Sequence, residues 1–141
     1  MQHFALLEDW YQRVWINADI DAIDELFHPT AAAEGLVNDM AMTAEEFKGL
    51  VPAFARLVEV TDVKFHQYFE SDDWLAAAMT ITAQSKQDGK TISADAQVMI
   101  KVANGKIVEA YNQFDMLSCF EQLGFLPEDS FLLSLSGHGI G

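Results

Sequence analysis

Cysteine is nearly missing from this chain. Cys119 stands alone among 141 residues, which excludes an internal disulfide. It falls among apolar neighbours on a predicted helix with no activating base in view, the setting of a buried, inert thiol. Positive charge is scarce as well: eight Lys and Arg stand against 22 Asp and Glu, a net charge of −14, and the basic residues are scattered. That balance argues against nucleic acid and anionic membrane as partners, because both need clustered Lys and Arg. No apolar run reaches membrane-spanning length, and the opening MQHFALLEDWYQ turns charged too early for a signal-peptide core. A reducing, cytoplasmic setting is the expectation. The four histidines, His3, His28, His66 and His138, share no metal-ligand spacing with one another or with Cys119, so no metal site is expected. Walker A, dinucleotide-binding and Gly-x-Ser-x-Gly motifs do not occur.

What the chain does have is apolar mass. Half of its residues are hydrophobic, enough for one core and a single domain over 1–141, with 128–141 as a C-terminal tail. Phe4, Leu7, Tyr11, Val14 and Trp15 recur at helical spacing, with Glu8, Asp9, Gln12 and Arg13 on the other side. A second short helix turns Ile20, Ile23, Leu26 and Phe27 inward behind Asp19 as N-cap, and Pro29 ends it. Residues 31–37 read as a short strand or a loop. Thr43 and Glu46 form a capping box that opens a helix burying Phe47, Leu50, Val51, Phe54 and Leu57. Pro52 predicts a kink or break in it near Gly49–Pro52.

From Val60 onward the period changes to two. Asp88–Gly89 and Asn104–Gly105 signal two-residue hairpin turns, which divide the remainder into strands near 62–70, 74–86, 91–103 and 106–115. Helices followed by an antiparallel meander make an α+β domain. In the tail, Phe131, Leu132, Leu133 and Leu135 predict packing on the same or a partner subunit.

Two-residue turns fix a register. Asn104–Gly105 sets Val102 beside Ile107, Ile100 beside Glu109, Val98 beside Tyr111, Ala96 beside Gln113 and Ala94 beside Asp115. Asp88–Gly89 sets Met79 beside Val98 and Ala83 beside Ala94. One face then collects the apolar residues of the two middle strands, and their burial turns it toward the helices. Tyr111, Gln113 and Asp115 share this inward face, beside the small Ala83, Ala94 and Ala96. Small side chains there leave room for a ligand or let a helix come close. A desolvated carboxylate would have a raised pKa, suited to acid/base chemistry. Asp115 is equally well placed as the N-cap of a helix at Met116–Leu123. Glu109 is the misfit on the inward face: either the open end of the sheet exposes it, or the hairpin carries a bulge. In the first strand, a three-residue loop at Ser71–Asp73 turns Val63, Phe65, Gln67 and Phe69 inward. A two-residue loop turns in Asp62, Lys64, His66 and Tyr68 instead; the apolar set favours the former and leaves His66 outside.

The stretch KIVEAYNQFDMLSCFEQLGFLP, from Lys106 to Pro127, resembles the SnoaL-like polyketide cyclase branch of the nuclear transport factor two-like fold. An Asn-Gly-Lys turn leads into IVEAYNQFD, as in the family's strand I-V-E-x-W-x-x-x-D, and Gln122, Leu123 and Gly124 match its Q-L-G helix end. Tyr111 takes the usual Trp position and Asp115 the aspartate. The resemblance implies a cone-shaped α+β barrel, with N-terminal helices packed on a curved antiparallel sheet around an apolar pocket. It implies a homodimer joined through the outer sheet face, and Asp115 as a general acid/base working without metal or cofactor. The cyclases also use a histidine on the neighbouring strand; Thr91–Ala103 contains none, which favours binding over cyclisation.

The leading expectation is a cofactor-free enzyme of isomerase, cyclase or aldol type acting on a small apolar carbonyl compound. Asp115 would move a proton while Tyr111 and Gln113 position the substrate. Trp10, Tyr11, Trp15 and Phe54 are candidates for the helical wall of the pocket, with Met79 and Val98 on the sheet. The alternatives are a non-catalytic protein that binds a small hydrophobic molecule, and a dimerisation module whose pocket its own side chains fill.

Overall fold

The computed structural model describes residues 2–37 and 40–139. Helix α1 (Gln2–Asp9) continues directly into a π-helical segment (Trp10–Ile16) that buries Trp10, Tyr11 and Val14. Helix α2 (Asp21–Leu26) follows, with Ile23, Leu26 and Phe27 buried. Ile20, expected inward, precedes the helix and is exposed, while Asp19 Oδ1 accepts the Asp21 N–H at 3.1 Å. The ambiguous segment is a strand, β1 (Ala33–Val37), paired with a short β2 (Met40–Met42).

Helix α3 (Ala44–Leu57) opens on the expected capping box: Thr43 Oγ1 accepts the Glu46 N–H, and Glu46 Oε1 accepts the Thr43 N–H at 3.0 Å. It runs unbroken through Pro52. One missing N–H costs a single helical bond, and the buried Phe47 and Val51 on either side of the cap-proximal turns hold the rest to the core.

Strands β3 (Val58–Ser71), β4 (Trp74–Ser85), β5 (Thr91–Ala103) and β6 (Lys106–Phe114) complete one six-stranded curved sheet in the order β2-β1-β6-β5-β4-β3. β1 runs parallel to β6; the other pairings are antiparallel. Gly35 makes the parallel pairing possible. Its φ is +89°, and a Cβ there would lie 1.8 Å from the Asn112 carbonyl oxygen.

The register departs from expectation in an instructive way. Between β4 and β5 the connection is residues 86–90, longer than two residues, so Met79 pairs with Ala96 instead of Val98. That displacement is even, and both strands keep their predicted faces. Between β5 and β6 the Asn104–Gly105 turn holds, with both residues at positive φ, and Ala103 and Val102 pair with Lys106 and Ile107. Lys101 then pairs with Glu109, leaving Val108 as an extra residue. This β-bulge flips every later residue of β6. Ala110 and Asn112 point inward and are buried, whereas Tyr111 and Gln113 lie on the outer face. The predicted inward placement of Tyr111, Gln113 and Asp115 is therefore corrected, and the misfit at Glu109 is resolved as a bulge.

β3 divides in the same manner. A two-residue turn at Asp72–Asp73 pairs Ser71 with Trp74, and a bulge at His66 sets Phe65 opposite Met79 but Gln67 opposite Ala78. Val63 and Phe65 face inward as expected, while Gln67 and Phe69 turn outward. His66 lies outside, where its Nε2 meets Thr80 Oγ1 at 2.7 Å and Thr80 donates to Asp95 at 2.7 Å.

Helix α4 (Met116–Leu123) closes with Gly124 at φ +84°. Helix α5 (Ser130–Leu135) is anchored at its start: Ser130 is fully buried, its Oγ donates to Pro127 O at 2.6 Å, and the Phe131 N–H donates to Glu121 at 3.1 Å. Phe131, Leu132, Leu133 and Leu135 remain exposed, so on its own subunit the tail packs chiefly through this first turn.

Candidate ligand-binding site

The core between helices and sheet is filled at one end and hollow at the other. Leu7, Trp10, Phe27, Phe47, Met79 and Ile100 fill the first part. Toward α4 the sheet offers only Ala83 and Ala94 where larger residues would close the space, and a cavity of about 90 Å³ remains. Tyr11 and Trp15 reach it from the π-helical segment, Phe54 from α3, Val58, Val60 and Val63 from β3, and Ile81 from β4. Ile92, Phe114, Met116 and Cys119 complete the wall. Trp15 and Phe54 meet edge to face at 6.1 Å between ring centres.

Three lining side chains carry a hydrogen-bond donor: the Tyr11 hydroxyl, the Trp15 indole N–H and the Cys119 thiol. Tyr11 is only 2 % exposed, and burial pushes its pKa up. Cys119 is pushed up too, first by burial and then by the charge of Asp115, so its thiol stays protonated and unreactive near neutral pH. No histidine or carboxylate belongs to the lining. Among the described residues, no three His, Cys, Asp or Glu side chains gather as metal ligands.

The structure scatters the residues singled out in the sequence. Trp15 and Phe54 line the cavity. Trp10 is buried beside Phe27 and Phe47, meeting the Phe47 ring edge at 5.2 Å. Trp10 and Val98 border a separate void of about 20 Å³, with Tyr11 and Asn112. Met79 is core, outside the linings of both voids. Asp115 is exposed and sits between the lining residues Phe114 and Met116, accepting the Ser118 N–H at 3.1 Å as N-cap of α4. Sequence reasoning missed Asn112 and Phe114 as interior groups, whereas Cys119 is buried as expected. The available signal was Glu109, whose awkward placement pointed to the bulge.

α4 is held across the end of the cavity by an unusual edge contact. β6 stops at Phe114, opposite Ala96, so the first residues of β5 have no strand on that side. The Asp115 N–H donates to Asp95 O at 3.0 Å. Beyond it, Gln122 takes the place of a strand residue: Oε1 accepts the Ser93 N–H at 3.0 Å, and Nε2 donates to Ser93 O at 2.7 Å.

The outer sheet face carries a larger, open groove of about 520 Å³. Ala76 and Ala78 form its floor, and Phe69, Met99, Tyr111, Gln67, Gln97 and Gln113 rise around them. Tyr111 stacks on Trp74 and donates its hydroxyl to Glu109, which raises the Tyr111 pKa.

Residues 7–110 match the SnoaL-like domain. The chain belongs to the SnoaL-like family. The matched span contains most of the cavity wall and stops short of Asp115 and Gln122. Solved structures agree on the fold. The SnoaL-like domain superposes on IdmH from Streptomyces antibioticus, a candidate polyketide cyclase, with a TM-score of 0.73 at 18% identity over 88% of this chain and 99% of that one. A protein with a ketosteroid isomerase-like fold from Catenulispora acidiphila, in complex with trimethylamine, gives 0.71 at 14% identity over 84% and 92%. An LEH-like epoxide hydrolase of M. tuberculosis gives 0.69 at 14% identity over 94% and 96%. No curated protein matches the chain.

Proposed function

We propose that this SnoaL-like domain binds a small, largely apolar molecule, or the apolar end of one, in the cavity between the π-helical segment, α3 and the sheet. The observation that carries the proposal is the hollow itself: an apolar space kept open by Ala83 and Ala94 in an otherwise filled core. Sites of this kind draw affinity from apolar surface removed from water. A π-helical segment supplying two wall residues supports the reading, since such segments recur at functional sites. An engineered cavity of about 150 Å³ takes benzene, so a void of about 90 Å³ suits a compact molecule or a narrow end. The test is titration with small cyclic hydrocarbons followed by aromatic NMR shifts of Trp15, against Ala94→Leu, which fills the space. Equal binding by a folded Ala94→Leu protein would place the ligand elsewhere and end the proposal.

A second reading keeps the acid/base chemistry. Asp115 adjoins two lining residues, and solved neighbours include a candidate cyclase and an epoxide hydrolase. In this reading Asp115 moves a proton at the rim on a carbonyl compound whose apolar part fills the cavity, with Tyr111 and Gln113 outside it. Asp115→Asn should then abolish turnover and leave binding intact; native turnover by that variant would exclude the role. We also propose a homodimer through the outer sheet face, supported by exposed Phe69, Met99 and Tyr111 around the groove.

A further inference from the structure

We infer that the two copies of the dimer exchange their C-terminal helices: α5 of each lies in the outer-face groove of the other, its apolar side chains seated over Ala76 and Ala78. The inference rests on the outer-face dimer proposed above and adds the segment that fills the groove and the reason it fits.

The groove sets the problem. It is a hollow of about 520 Å³, with small residues at its floor and Phe69, Met99 and Tyr111 raised around them. In a two-fold dimer the same patch is presented by both copies. Two such hollows laid face to face would enclose empty space, whereas stable interfaces pack at the density of a protein interior. A projecting element of the partner has to enter. α5 is such an element. Ser130 is buried and the Phe131 N–H is tied to Glu121, yet beyond this first turn Phe131, Leu132, Leu133 and Leu135 all remain exposed.

Charge selects the same segment. Among the described residues, Glu34 is the one charged side chain in the groove lining; the rest is apolar or neutral, with the amides of Gln67, Gln97 and Gln113 on the rim. The chain carries 22 Asp and Glu against eight Lys and Arg, so most of its surface would bring a carboxylate toward Glu34. Asp129 is the last acidic residue, and 130–141 hold no Asp, Glu, Lys or Arg. The exposed Ser134 hydroxyl, set between the leucines, suits the glutamine amides. Size agrees as well. The four exposed side chains of one α5 present on the order of 400 Å², and two tails with the grooves that receive them bury on the order of 1,600 Å², a standard stable interface.

Mixed dimers make the test. In a Cys119→Ala background, one copy carries a nitroxide attached at Ser134→Cys, and the other is nitrogen-15 labelled and bears no spin label. The Ala76, Ala78 and Met99 amides of the second copy should broaden, because a nitroxide can reach them only on the tail of the first. Leu132→Ser combined with Leu135→Ser should raise the dimer dissociation constant at least about tenfold in sedimentation, with an unchanged far-ultraviolet spectrum. A dimer whose groove amides stay sharp, or one that keeps its native strength after the double substitution, overturns the exchange and leaves an outer-face dimer packed through Phe69 and Met99. A native protein that sediments as a monomer overturns the dimer and this inference with it.

Discussion

Gln122 clasps the backbone of Ser93 through both ends of its side-chain amide, standing in for a strand where β6 has already stopped. The amide copies a peptide group, and Ser118 Oγ accepts a further bond from Nε2 at 2.9 Å. Gln122→Leu should destabilise the fold by about 1 kcal/mol, because water at this exposed edge replaces part of what is lost. Urea denaturation gives the magnitude. Amide exchange at Ser93 gives the location, and unchanged exchange there would refute the contact.

Gly35→Ala should be far more damaging. The substitution combines a positive φ with a methyl group 1.8 Å from the Asn112 carbonyl oxygen. Strain of this kind costs about 1–3 kcal/mol before the clash is counted, so the loss should exceed about 3 kcal/mol. A thermal midpoint close to native would show that β1 does not approach β6 as described.

Tyr11 should make the fold sensitive to alkali. Its pKa is raised by burial, whereas in the unfolded chain it returns to about 10. Its contribution is therefore complete below about pH 10 and is lost as pH climbs toward the higher folded value. Tyr11→Phe cannot ionise. The stability difference between native protein and variant should shrink steadily above about pH 10, and a constant difference across that range would contradict the burial.

Cys119 should react slowly with iodoacetamide at neutral pH, its half-time falling to that of a free thiol in denaturant. Asp115→Asn removes the second cause of the raised pKa and should shift the labelling profile to lower pH. An unshifted profile would mean that the Asp115 charge does not reach the thiol.

The outer groove should hold a second copy of the chain. Phe69→Asp, placed on a side chain that is 68 % exposed, should turn a sedimenting dimer into a monomer with its far-ultraviolet spectrum intact. A native protein that sediments as a monomer would dispose of the dimer.

Much of the fold was legible in residue periods. The capping box at Thr43 and Glu46 and the alternation of β4 and β5 were predicted from sequence and are found, while Ala83 and Ala94, for which the sequence left a ligand space or a close helix open, line a cavity. These signals are local or repeat over many residues, so one misjudged loop leaves them standing. The longer 86–90 connection changed partners without changing faces. Tyr111 and Gln113 were misplaced because they lie beyond a bulge. Gln67 and Phe69 were misplaced because the Asp72–Asp73 turn is one residue shorter than the favoured loop, the bulge at His66 then returning Phe65 and Val63 to the inner face. A bulge depends on how two strands twist together rather than on either sequence alone. Asp115 was read correctly as a cap, though its predicted seat inside the barrel went with the register.

The extra residue at Val108 means that chain length, as well as residue type, encodes the interior chemistry of β6. Loss of one codon between Ile107 and Ala110 would restore unbroken alternation and exchange the inward set of Ala110 and Asn112 for the side chains now outside. A relative could thus turn an apolar hollow into one with an inward tyrosine and glutamine without replacing either residue. Alignments that slide a gap freely along this hairpin would hide that exchange, and comparison of site residues across the family has to begin by locating the bulge.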